Sequence, residues 1–71
     1  MKQQELMNLV EEARREAGLT IATLSNKLRM SDSYYIQARD GDRKVNIRMV
    51  RAVPRVFPGL KEAVREFCGL T

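Results

Sequence analysis

The 71-residue chain is long enough for one small domain and no more, and its 44% hydrophobic content allows a core of roughly fifteen to twenty side chains. A single cysteine excludes an internal disulfide framework. The lack of any histidine beside that one cysteine excludes the common zinc sites and removes the usual general base near neutral pH. No apolar run reaches the roughly 18 residues that span a bilayer, and Met1-Lys2-Gln3-Gln4-Glu5 has no signal-peptide apolar region. The expectation is a soluble, cytoplasmic protein that is not an enzyme and takes no cofactor and no metal. Net charge is +4, unevenly spread. Residues 1–17 hold three basic and four acidic side chains, residues 18–58 eight and three, and residues 59–71 two of each. A basic middle points to a polyanion as partner; a pattern kept for solubility is the alternative.

Residues 2–17 predict an amphipathic helix. Leu6, Leu9, Val10, Ala13 and Ala17 recur at steps of three and four, while Glu11, Glu12, Arg14, Arg15 and Glu16 occupy the other side. Glu11 and Arg15 are spaced to pair at i, i+4. Gly18 supplies a helix stop. Thr20 is a good N-cap for a second helix over about 20–28, with Ile21, Leu24 and Leu28 as its apolar stripe and Ser25 as a small residue in its middle. After a short break at Arg29-Met30, Ser31 is a second cap, and Asp32 places a carboxylate in the first turn, where it suits the helix dipole. The third helix covers about 31–39, with Tyr35 and Ala38 as its buried side, and Asp40-Gly41-Asp42 ends it.

Arg43-Lys44-Val45 is a basic loop, and Asn46 caps a fourth helix starting at Ile47. Pro54 either stops that helix near Ala52 or kinks it. Pro58 suits the first turn of a fifth helix, whose apolar face is Leu60, Ala63, Val64 and Phe67 and which ends before Gly69. Cys68 is expected half-buried and inert. No segment alternates with period two, so the class is all-α.

The informative stretch is 19–45. Two short helices separated by two or three residues must cross steeply and touch, and the contact needs the small side chain of Ser25. The second helix of the pair is then held rigidly by the first, with its N-terminal outer face projecting. A helix so held fits the roughly 12 Å major groove of DNA.

From Leu19-Thr20-Ile21-Ala22-Thr23-Leu24-Ser25 through Arg29-Met30-Ser31-Asp32-Ser33-Tyr34-Tyr35-Ile36 to Asp40-Gly41-Asp42-Arg43-Lys44, the chain resembles the helix-turn-helix of the lambda-repressor-like (Cro/C1, or XRE) superfamily. The five-helix order extends the likeness over nearly the whole chain. The resemblance implies a stand-alone phage-type repressor in a bacterial or phage-infected cell, associated with the nucleoid. It implies Thr20 and Ser31 as caps near phosphates, Asp32, Ser33 and Gln37 at base edges, and Tyr34 beside the backbone or a thymine methyl. Gln37 is the best base reader, because its amide both donates and accepts, as adenine requires. Arg43, Lys44 and Arg48 would grip phosphates. The chain departs from the family pattern at four places. Ile21 replaces a frequent glutamine, Arg39 replaces a frequent glutamate, and Asp40 places an acid near a phosphate. Arg29 replaces the turn glycine, where a positive φ would cost about 1 kcal/mol.

Lys44, Arg48, Arg51 and Arg55 follow steps of four, three and four, so they form one stripe if the fourth helix runs through Pro54. The stripe is either a phosphate-tracking face or a solvated one. Val56, Phe57 and Leu70 add apolar surface near the C-terminus, which either closes the core or pairs across a two-fold axis. The expectation is a homodimer on an inverted-repeat operator in double-stranded DNA, with recognition helices about 34 Å apart. The alternative is a protein-interaction module, such as an antitoxin or antirepressor, that uses the same helices with Asp32, Asp40 and Asp42 in its surface.

Overall fold

Short polar side chains start the three middle helices. Thr20 Oγ1 accepts from the Thr23 amide at 3.1 Å, Ser31 Oγ from the Tyr34 amide at 3.1 Å, and Asn46 Oδ1 from the Met49 amide at 2.9 Å. Each cap satisfies an amide that lacks a partner within the helix. The computed structural model describes residues 1–69 and is all-α. Its helices are α1 (Gln3–Glu16), α2 (Ile21–Lys27), α3 (Asp32–Asp40), α4 (Ile47–Val56) and α5 (Lys61–Phe67), with a 3-10 turn (Pro58–Leu60) leading into α5. No helix among the described residues is long and apolar enough to cross a membrane.

The first three helices end alike. After α1, the Gly18 amide donates to the Arg15 carbonyl and the Leu19 amide to that of Arg14. After α2, Arg29 donates to Asn26 and Met30 to Ser25. At the end of α3, Gly41 donates to Ala38 and Asp42 to Gln37. This double bond pattern requires a left-handed residue at its centre. Gly18 (φ 69°) and Gly41 (φ 85°) fill that place in α1 and α3, and Arg29 (φ 60°) fills it in α2.

The core joins Leu6, Met7 and Val10 of α1, Leu24 of α2 and Leu28 at its C-cap, Tyr35 and Ala38 of α3, and Met49, Val50, Ala52 and Val53 of α4, closed by Val64 of α5. The buried face of α1 is rotated from the one the spacing predicts: Met7 and Glu11 point inward, Leu9 and Ala13 are half-buried, and Ala17 is exposed. Glu11 is therefore not a solvent-face residue. The reason is Tyr35, which is fully buried and whose phenol needs an acceptor. It donates to Glu11 Oε1 at 2.6 Å. Arg14 offsets the buried charge with two bonds to the carboxylate, at 2.9 and 3.1 Å, and a third to the Leu19 carbonyl at 2.8 Å. Arg15, the partner that the spacing favours, stands at 3.8 Å.

α4 does not stop at Ala52; it continues through Pro54 to Val56 and closes with the Phe57 amide on the Val53 carbonyl at 2.7 Å. Pro54 sits in the last turn. There its missing amide costs one bond to Val50, while four buried side chains hold the helix. Pro58 opens the 3-10 turn, and α5 proper begins at Lys61. Cys68 is exposed, not half-buried, because it follows the last turn of α5, of which only Val64 is buried. Leu60, Ala63 and Phe67 are half-buried against the core. The apolar contribution expected of Leu70 lies outside the described residues.

Candidate nucleic-acid interface

α2 and α3 are joined by residues 28–31, and Ser25 of α2 is fully buried. Its hydroxyl has no hydrogen-bond partner, so its role there is to be small. Tyr35 and Ala38 pin α3 from inside. Asp32 and Ser33 are left exposed on its first turn, Ile36 and Gln37 are half-exposed further along, and Thr20 and Ser31 sit exposed at the two caps. The Thr20 hydroxyl also donates to Thr23 Oγ1 at 2.9 Å.

The loop after α3 is held at both ends. The Tyr34 hydroxyl donates to the Lys44 carbonyl at 2.8 Å and accepts from the Asn46 amide at 2.9 Å. The Arg43 guanidinium lies over the Tyr34 ring, 5.3 Å from its centroid, and donates through Nε to Gln37 Oε1 at 2.8 Å. Gln37, Tyr34 and Arg43 are thus one unit. In this arrangement the Gln37 carbonyl oxygen is already engaged, and its NH2 group is the part left to meet a base. From α1, Gln3 Nε2 donates to the carbonyls of Ala38 (3.2 Å) and Arg43 (2.8 Å), and Gln3 Oε1 accepts from the Val45 amide at 3.0 Å. Gln4 donates to the Arg39 carbonyl at 3.2 Å. Sequence reasoning assigned no role to either glutamine. Nothing in their spacing announces a partner some 35 to 42 positions away.

Arg43, Lys44 and Arg48 are exposed, and among the described residues none pairs with a carboxylate. The acidic residues nearby are handled differently. Asp40 pairs with Arg39 at 3.0 Å, which raises the Arg39 guanidinium above its ordinary value. The hydrogen bond from Arg14 holds Glu11 below the usual carboxylate range against the opposing effect of burial, and the Tyr35 phenol assists. Burial, then the contact with Glu11, pushes the Tyr35 phenol up. Because α4 is continuous, Arg48, Arg51 and Arg55 share its outer side. Arg29 joins them: the four arginines line one surface depression together with Leu28. Sequence spacing finds three of these four; Arg29 arrives only through the approach of α2 to α4. Among the described residues, no group of three or more His, Cys, Asp or Glu side chains is placed to hold a metal ion.

Comparison of the chain with protein-family models, with curated proteins and with solved structures finds no match.

Proposed function

We propose that this chain is a sequence-specific, double-stranded DNA-binding transcription regulator, a stand-alone repressor of the phage Cro/C1 type. α3 enters the major groove with Asp32, Ser33 and Gln37 toward base edges. Thr20, Ser31, Arg43, Lys44 and Arg48 meet the sugar-phosphate backbone, and Tyr34 braces the loop beside it. The observation that carries this reading is the juxtaposition of a rigidly seated α3, whose first turn is solvent-exposed, with an anchored loop that presents Arg43 and Lys44. A helix that is held from behind and flanked by cations has the shape and charge of a groove reader. One such module makes few base contacts, so the active form is a homodimer on an inverted repeat. Ile47, a large hydrophobic residue 58% exposed at the start of α4, is available to that pairing.

Selection of bound sequences from random duplexes tests the reading. The expected result is an inverted repeat with half-sites one helical turn apart. Gln37→Ala should lower the specific affinity by a free energy of about 1–3 kcal/mol and leave binding to random duplex nearly intact. Absence of any enriched sequence counts against α3 as a reader. The protein-interaction alternative, which the exposed Asp32 favours, is separated by salt: phosphate binding weakens steeply as salt rises, and an apolar protein interface does not.

A further inference from the structure

α1, α2 and α3 close on the same left-handed bond pattern, and the centre is glycine in α1 and α3 and arginine only in α2. A glycine at position 29 would make the same backbone bonds without strain, so the backbone geometry does not call for an arginine. The side chain lies beside Arg48, Arg51 and Arg55, around Leu28, in a single depression. Lys27, Arg29 and Arg55 also line the adjoining surface. Among the described residues no carboxylate pairs with any of these cations. No side chain of α3 lines the depression, and Arg48 is its one residue shared with the interface proposed around Asp32, Ser33 and Gln37.

We propose that Arg29, Arg48, Arg51 and Arg55 form a second phosphate-binding track, which takes the sugar-phosphate backbone of duplex DNA. Three features favour a nucleic-acid backbone over an acidic protein surface. All four side chains that line the depression with Leu28 are arginine, whose planar fork matches phosphate oxygens two at a time. Arg48 and Arg55 lie seven residues apart on α4, roughly 10 Å at 1.5 Å per residue, long enough to meet more than one phosphate of a strand. Leu28, the one apolar residue of the lining, is only 2% exposed, so the side chains that the depression presents to a partner are the arginines. The track rests on the DNA-binding reading for its partner but not on sequence recognition by α3.

The test is binding of the full chain to a labelled random-sequence duplex between about 50 and 200 mM salt. The proteins compared are the wild type, Arg51→Gln/Arg55→Gln, and a control of equal charge, Lys2→Gln/Lys61→Gln, with circular dichroism to verify folding. The arginine pair should flatten the slope of log affinity against log salt by roughly two, at about 0.9 per phosphate contact; the lysine pair should leave it near the wild-type value. Equal slopes for the two double variants overturn the track. Poly-glutamate of matched charge should compete poorly with the duplex; displacement as effective as that by DNA overturns the assignment in favour of an acidic protein partner. The two proposals fail separately. Arginine-dependent slope without any selected sequence refutes the role of α3 and supports the track. A selected inverted repeat whose binding ignores Arg51 and Arg55 does the reverse.

Discussion

Replacing Arg29 by glycine separates backbone strain from side-chain function. An L-residue in the left-handed region costs about 1–2 kcal/mol, and Arg29 sits there at φ 60°. Glycine relieves that strain but has more freedom in the unfolded chain, which takes back about 0.4–1 kcal/mol. The net expectation for Arg29→Gly is a gain of about 0.5–1 kcal/mol, or about 2–8 °C in Tm for a domain of this size. Arg29→Ala is the necessary companion. It removes the same guanidinium from its cationic neighbours but keeps a Cβ in the left-handed region, so it gains none of the strain relief. Thermal and urea unfolding followed by circular dichroism give the difference between the two variants directly. Both should lose random-duplex affinity alike, because both lack the cation. If Arg29→Gly is no more stable than Arg29→Ala, the strain argument is wrong, and with it the inference that the side chain is kept for its charge.

Three further outcomes follow from the contacts described. Glu11 is held below its ordinary value of 4.5 in the folded protein, so the native state binds fewer protons than the unfolded chain. Its contribution to stability is present above about pH 4.5 and is lost as pH falls through the depressed folded value. Glu11→Gln should cost about 2 kcal/mol at neutral pH, in line with charge-assisted hydrogen bonds, and should flatten the acid limb of a stability–pH curve; an unchanged limb would show that other carboxylates set it. Ser25→Ala should raise stability by about 1 kcal/mol, since it removes a buried hydroxyl that has no partner; a loss would mean that the hydroxyl is satisfied in solution. Tyr34→Phe keeps the ring under Arg43 but frees the Lys44 carbonyl and the Asn46 amide, at a cost of about 1 kcal/mol. Hydrogen exchange at Asn46 should accelerate, and unaltered exchange there would remove Tyr34 as the anchor of the loop.

What could be read from the sequence was local. The caps at Thr20, Ser31 and Asn46 and the stops at Gly18 and Gly41 are properties of one residue and its next few neighbours, so the element order and the start of each middle helix follow from them. The face of α1 was not legible. Hydropathy turns a glutamate outward, and Glu11 turns inward only because the phenol of Tyr35, 24 positions on, needs an acceptor. The persistence of α4 past Pro54 depends on burial of Met49, Val50, Ala52 and Val53, which no local rule on proline contains. For the candidate interface, the basic loop could be read from the residues themselves, and the outward residues of α3 were named from the family resemblance. The contacts of Gln3 and the company that Arg29 keeps could not, because both depend on how helices approach one another.

The clasp of Gln3 on the stretch from Ala38 to Val45 bears on the thermodynamics of docking. One amide side chain already immobilises the backbone on either side of Arg43 and Lys44, so these cations meet a ligand from a stretch of chain with little wandering left to lose. Association then forfeits less conformational freedom than it would with a slack loop. Its heat signature should accordingly lack the large unfavourable entropy of a segment that orders only on contact.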